Sequence, residues 1–366
     1  MRQWSFHNPV ALHFGAGVFD RVKEQIGQRR WLLVTHKDAP FAPMRDRLLG
    51  HVHPPLAIAD AIMPNPSLAM LQHVCGLLQA RADGIDVIVA LGGGSVMDTA
   101  KFLAAGHCDF RSVACYLDGQ VALGGRALPV IAVPTTAGTG SELTKWATIW
   151  DPEQGRKLSL NRDDLYAEAA FIDPELTASL PWPLTLASGL DALSHALESL
   201  WNRNANPITR SFAIAAAGDV LTALARLQGD LDDQDARSML AAGAMKAGLA
   251  FSNTQTALAH NISYPITLDY GVAHGIACSF CLPEVMAAAI GADDACDTAL
   301  GSIFGALAQA PQALRRRLTD LGIAGDPAAF GIGGEAWRGI VADAFDGPRG
   351  RNFIGARERF PDRPVA

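Results

Sequence analysis

Ile85-Asp-Val-Ile-Val-Ala-Leu91-Gly-Gly-Gly-Ser-Val-Met-Asp98-Thr-Ala-Lys101 is an apolar, β-branched run that meets three glycines and then becomes helix-forming. A short strand entering a helix through such a loop is the unit from which parallel α/β sheets are built. The glycines adopt backbone conformations that other residues resist, and they let a phosphate approach main-chain N–H groups. The helix N-terminus beyond adds partial positive charge, so Gly92, Gly93, Gly94 and Ser95 can receive a pyrophosphate. The spacing is neither Gly-x-Gly-x-x-Gly nor a Walker loop, which would require Lys and then Ser/Thr after the last glycine. Taken alone, the loop serves equally as a tight turn.

Working outward, Trp31–Thr35 and Leu128–Val133 are further short apolar runs bounded by polar residues, Gly or Pro. Between the strands lies a helix-like segment from Ser67 to Ala82, with Ser67 after Asn65-Pro66 as its N-cap. Strands alternating with helices predict a parallel sheet covered on both faces. The third run leads into Pro134-Thr-Thr-Ala-Gly-Thr-Gly-Ser-Glu142, where Thr135, Thr136, Thr139 and Ser141 supply four hydroxyls. A loop of small donors after a parallel strand lies where α/β sheets bind ligands. Two such loops in one sheet predict a nucleotide site.

Near Asp173-Pro174 the pattern changes. Pro183–Trp201, Pro207–Leu227, Asp235–Phe251 and Thr254–Tyr264 read as helices rich in Ala and Leu, with a break at Pro265 and Gly271. The expected organisation is a dinucleotide-binding α/β domain over 1–180 and a helical metal-binding domain over 181–366. Hydrophobic residues at 49% and charged residues at 18% of 366 place the chain among compact folded proteins. A net charge of −7 argues against a nucleic-acid partner. The start lacks the apolar core of a signal peptide, and no apolar run approaches the ~18 residues of a membrane span. Six scattered cysteines read as reduced thiols. A cytoplasmic protein with no membrane partner is expected.

The helical half holds the second constellation. Asp191 and His195 are four apart in Leu186-Ala-Ser-Gly-Leu-Asp191-Ala-Leu-Ser-His195-Ala-Leu-Glu198, so both meet on one helix face. His260 sits in the next helical run and His274 beyond the break. A lone histidine here would read as a core or capping residue. One carboxylate with three imidazoles suits a divalent transition metal instead. Cys278-Ser-Phe-Cys281 has no second cysteine pair and reads as packing in a buried helix.

Together, Phe14-Gly-Ala-Gly17, Pro64-Asn-Pro66, Gly92-Gly-Gly-Ser-x-x-Asp98, the Pro134–Glu142 loop, Asp191-x-x-x-His195, His260 and His274 resemble the iron-dependent (group III) alcohol dehydrogenases. The resemblance runs from about Phe6 to Phe353. It implies an N-terminal Rossmann-like parallel sheet with helices on both faces, a C-terminal helical domain of the dehydroquinate synthase-like type, and an active site between them. It further implies that Asp191, His195, His260 and His274 hold one divalent metal, Fe2+ ahead of Zn2+ or Mn2+. Asn65, Gly94, Ser95, Asp98, Thr135, Thr136, Thr139, Ser141 and Lys157 would lie along NAD(P). A homodimer or larger homo-oligomer is expected.

Three departures from the family pattern stand out. His36, in Thr35-His36-Lys37, replaces a carboxylate that would repel a 2′-phosphate, so NADP(H) should be accepted at least as well as NAD(H). Tyr264 replaces a histidine that could pass a proton, and is expected to shape the pocket. The tail after Phe353 is atypical. The run Asn253–Thr267 looks most like the phosphonoacetaldehyde-reducing branch, with Asn253, Thr254, Gln255, Ser263 and Thr267 as donors and Arg210 or Lys246 as cations. The alternatives are a generalist short-chain aldehyde reductase, a zinc-dependent lyase or cyclase on the same fold, and a nucleotide sensor. The cyclase would need more Lys and Arg than 183–275 contains.

Overall fold

The computed structural model describes residues 3–38, 41–361 and 364. Contacts divide the chain into two compact units, Asn8–Thr136 with Gly140–Ser179, and the chain from Leu180 onward with Ala137–Thr139 and the segment to His7.

In the first unit the strands are β1 Ala11–Phe14, β2 Trp31–Val34, β3 Ala57–Ala59, β4 Val87–Gly92, β5 Val130–Pro134, β6 Trp146–Asp151, β7 Arg156–Asn161 and β8 Ala169–Ile172. Six form one parallel sheet in the order β1-β8-β5-β4-β2-β3, and β6 and β7 form an antiparallel hairpin. Every residue of β2 and β4 is buried, as a sheet covered on both faces requires. One face is the core of Trp31, Leu33, Val87, Val89, Leu91, Ile131, Val133 and Phe171. The covering helices are α1 Val22–Ile26, α2 Ala42–His51, α3 Leu68–Leu78, α4 Gly94–Gly106 and α5 Phe110–Leu117. Ser67 caps α3, its hydroxyl accepting from the Met70 N–H at 3.2 Å.

The order of the strands reverses between β2 and β4. Ligands of open α/β sheets bind beyond the strand C-termini at such a switch point. The turn bearing His36 and the loop bearing Gly92–Ser95 both leave the sheet there.

Sequence patterning identifies three of the six strands. β1 is a largely exposed edge, β3 has three residues, and β8 is an Ala-Ala-Phe-Ile run that reads equally as helix. The hairpin closes through Pro152-Glu-Gln-Gly155, with Gly155 at φ 60°.

The second unit is helical: α6 Trp182–Leu200, α7 Pro207–Gly229, α8 Gln234–Thr254, α9 Leu258–Tyr270, α10 His274–Ser279, α11 Leu282–Ala289, α12 Asp294–Phe304, α13 Ala310–Asp320 and α14 Gly334–Asp346. α7 is long and apolar enough to cross a membrane by length and composition, and it packs along α6 and α8. The expected break at Pro265 does not occur. α9 runs through the proline and ends at Gly271, which takes the left-handed φ of 66°. Pro265 forfeits only one backbone bond, to the Asn261 carbonyl, while buried Ile262 and Ile266 anchor the helix on either side. Ala137–Thr139 group with the helices, so Thr139 belongs to this unit.

Candidate metal centre

α6 carries Asp191, His195 and Glu198 at spacings that keep them along one face of the helix. α9 supplies His260 near its start, and α10 begins with His274. Close approach of α10 to α6 depends on Gly275, because a Cβ there would lie 1.8 Å from the Ala187 carbonyl oxygen.

The imidazoles converge on one carboxylate oxygen. Asp191 Oδ1 lies 3.7 Å from His195 Nε2, 3.5 Å from His260 Nε2 and 4.0 Å from His274 Nε2. These separations are too long for hydrogen bonds. Donors sharing one ion at about 2.0–2.2 Å stand roughly 3–3.6 Å apart, close to what is seen. Asp191 Oδ1 and His260 Nε2 are buried and have no hydrogen-bond partner among the described residues. Orphaned buried polar atoms of this kind require a partner, and a cation fits both. Burial raises the Asp191 carboxyl, but the surrounding imidazoles outweigh it and hold the group ionised. Burial pulls His195 down to about 4, which keeps its imidazole neutral. Burial also opposes the charged forms of His260 and His274, but Cys278 and the neighbouring carboxylates outweigh it and raise both imidazoles, so these two would release a proton as an ion binds.

Glu198, which belongs to none of the sequence motifs, has a defined place in the structure. Fully buried, it accepts from Ala257 N–H at 2.9 Å, His260 N–H at 3.2 Å and His260 Nδ1 at 2.6 Å. A carboxylate facing Nδ1 fixes a proton there and leaves Nε2 as the ring nitrogen that faces Asp191. The available signal was a charge on an apolar helix, three residues after His195. His195 also stacks on Phe251 with ring centroids 3.9 Å apart. The Tyr264 ring lies parallel to His274, with centroids 6.2 Å apart. The His274 side chain is 32% exposed against 4–6% for the other three, so the cluster is open on that side.

Cys278 is buried in α10, as its reading as helix packing expects, and it also stands beside the cluster. The ligand atoms of Asp191, His260, His274 and Cys278 all lie within 4.8 Å of one another. Four residues after His274 on a helix, its sulfur faces the same way.

In the α/β unit, α4 opens at Gly94 with Gly93 as N-cap, which brings no side chain to its first N–H groups. A Cβ on Gly92 would come within 2.5 Å of Val96 Cγ2. Asn65, at φ 57°, donates its N–H to Ser95 Oγ at 3.2 Å. Thr135 is buried behind the loop and its N–H donates to the Gly92 carbonyl at 3.0 Å. Thr136 lies against Gly93. Asp98 accepts from the Ser141 hydroxyl at 2.8 Å, and its other oxygen accepts from Thr148 N–H at 3.0 Å, so it ties α4 to the Ser141–Leu143 turn and to the hairpin. Lys101, not anticipated, is buried and donates to the Ser141 and Trp146 carbonyls at 2.6 and 2.8 Å. Lys157 sits over the Trp150 ring at 5.9 Å. His36 Nδ1 meets the Ile62 carbonyl at 3.2 Å, and burial lowers its pKa, so the ring is neutral.

The expected anion donors near His260 are mostly engaged internally. Thr254 bonds Ser199, Ser263 donates to the His260 carbonyl, and Asn253 bonds the His7 backbone. Arg210 pairs with Asp293 and Lys246 with Asp219.

A family model described as iron-containing alcohol dehydrogenase matches residues 9–174, and its C-terminal counterpart matches 185–350. Long-chain-alcohol dehydrogenase 1 of Geobacillus thermodenitrificans is 31% identical over 92% of this chain and 89% of its own. Phosphonoacetaldehyde reductase of Streptomyces viridochromogenes is 38% identical over 68% of this chain and 63% of its own. The structure of sulfoacetaldehyde reductase from Bifidobacterium kashiwanohense in complex with NAD+ matches with a TM-score of 0.87 at 27% identity, covering 97% of this chain and 95% of that one. These matches set aside the lyase and sensor alternatives: the chain belongs to the iron-containing alcohol dehydrogenase family of oxidoreductases.

Proposed function

We propose that the protein reduces small aldehydes bearing an anionic group, by reversible hydride transfer from NAD(P)H, with one divalent ion at the Asp191 cluster. Iron(II) is the first choice, ahead of zinc or manganese. The observation that carries this reading is the convergence of three imidazoles on a buried, unpartnered carboxylate oxygen. When bound, the ion supplies Lewis acidity towards a carbonyl or alkoxide oxygen, and the dinucleotide supplies the hydride. Glu198 holds the His260 ring with Nε2 facing Asp191. Exposure at His274 leaves room for a small aldehyde, and Tyr264 shapes that opening. A phenol with a reference pKa of ~10 is a poor proton shuttle near neutrality, so Tyr264 would bound the opening and leave the proton to solvent water.

The loop at the start of α4 would hold the pyrophosphate on free N–H groups. No carboxylate occupies the His36 position, and exposed Lys37 follows it. NADPH should therefore serve at least as well as NADH, and a kcat/KM preference for NADH above ~10-fold would contradict this.

The anionic substituent is supported by relatives named for phosphonoacetaldehyde and sulfoacetaldehyde. With Arg210 and Lys246 in ion pairs, the charge falls to Arg349, whose Nη1 donates to Gln255 Oε1 at 2.6 Å. Gln255 holds a left-handed φ of 64° in the turn leading to His260. Kinetics on phosphonoacetaldehyde, succinic semialdehyde, propanal and butanal test this. The anionic aldehydes should exceed the neutral ones by ~10-fold or more in kcat/KM, and Arg349→Gln should erase the difference. Equal values would leave a generalist short-chain reductase.

A further inference from the structure

Cys278 is the one member of the cluster that the family pattern does not account for. It is fully buried, and its sulfur lies 3.6 Å from His274 Nε2 and 3.8 Å from His274 Nδ1. Its sulfur and the ligand atoms of Asp191, His260 and His274 fall within 4.8 Å of one another. Two of those atoms, Asp191 Oδ1 and His260 Nε2, are buried without a hydrogen-bond partner among the described residues, so the space between them calls for a cation. The sulfur is fixed there by backbone packing. A Cβ on Gly275 would lie 1.8 Å from Ala187 O and 3.0 Å from Asp191 N, so α10 is seated directly on the ligand-bearing turn of α6. That seating sets the rotation of α10 and the direction of Cys278.

We propose that Cys278 is a thiolate donor to the ion beside Asp191, His260 and His274, making the centre a mixed oxygen, nitrogen and sulfur site. The inference rests on reading this cluster as a metal centre. On binding, the thiol proton is released to solvent and a sulfur–metal bond forms, with no change of oxidation state. A soft sulfur favours Zn2+, Co2+ and Fe2+ over Mn2+, which prefers oxygen donors. Cys278 would thus shape which ion the protein retains.

X-ray absorption of the full-length protein, stripped and reloaded with Zn2+, tests this without recourse to activity. The expected result is one sulfur at about 2.3 Å beside nitrogen and oxygen at about 2.0–2.2 Å. In Cys278→Ser the sulfur shell should vanish while about one ion per chain is still bound, and Zn2+ selectivity over Mn2+ should fall ~10-fold. Cys281→Ser should keep the sulfur shell. Reloading with Co2+ gives a second readout, a near-ultraviolet thiolate-to-cobalt band present in the unmodified protein and absent in Cys278→Ser. A wild-type spectrum with only nitrogen and oxygen neighbours overturns the proposal and leaves the metal centre standing, whether or not the variant folds. Failure of the wild-type protein to bind any of these ions overturns both.

Discussion

Glu198 acts through a neighbour. Its carboxylate collects three N–H groups at the start of α9, including the ring N–H of His260, and so sets the direction of the ring that faces Asp191. Burial raises its pKa, but His260 and the N–H groups outweigh this and keep it ionised. Glu198→Gln retains the size and loses the charge, so the metal dissociation constant should rise ~10–100-fold, read by competition with a chelator. Glu198→Ala leaves the three donors buried without an acceptor and should cost about 2–5 kcal/mol of stability in denaturant titrations. Unchanged metal affinity in Glu198→Gln would remove the positioning role. At this scale the sequence is readable where residue type alone carries the chemistry, as for Asp191 and the three histidines. It is opaque where a role comes from a tertiary approach. Nothing local tells that Glu198 meets a helix start 59 residues later, or that Cys278 shares a pocket with Asp191.

Elements bring these residues together through close backbone contacts and buried polar ties. α10 can seat on α6 only because position 275 has no side chain. Gly275→Ala should displace α10, lower stability by about 3 kcal/mol or more, and remove bound metal in proportion. A variant with normal melting temperature and metal content would show that the contact is slack. In the α/β unit, the segment between β5 and β6 buries Glu142 near Lys101, and burial pushes the carboxyl up to about 7 from 4.5. The folded state then holds this proton more tightly than the unfolded chain between pH 4.5 and about 7, so stability falls as pH rises through that window. The contribution is of the order of 3 kcal/mol, and Glu142→Gln should flatten that part of the pH–stability curve by a similar amount. Lys101 acts in a separate window. Burial lowers it to about 8 from 10.5, so its effect on stability rises only above neutrality. A mutant curve parallel to wild type between pH 4.5 and 7 would rule out the buried carboxylic acid.

The whole molecule joins two units of different construction, and that division was the most legible feature of the sequence. Alternating β-branched runs and helices gave the sheet, and Ala- and Leu-rich segments punctuated by Pro and Gly gave the helices. What patterning could not supply was the edge strands β1 and β3 and the interior strand β8, three or four residues long, because their pairing is decided by neighbours far along the chain. The same division separates two chemistries. Gly92–Ser95, Asn65, Thr135 and His36 belong to the α/β unit, whereas Asp191, His195, His260 and His274 belong to the helical one. Removing an imidazole from the helical unit should therefore leave the dinucleotide site intact. In His260→Ala, Glu198 keeps the Ala257 and His260 N–H groups as partners, so the start of α9 is still held. The orphaned Asp191 oxygen loses one of the imidazoles facing it across the ion site. NAD(P)H should bind with a Kd within about threefold of wild type, or ~0.7 kcal/mol, by fluorescence titration. Turnover should fall at least ~100-fold, and added metal should not restore it. Wild-type kcat after chelation and dialysis would end the metal reading of this cluster, and a collapse of dinucleotide affinity would show that the units are not energetically separate.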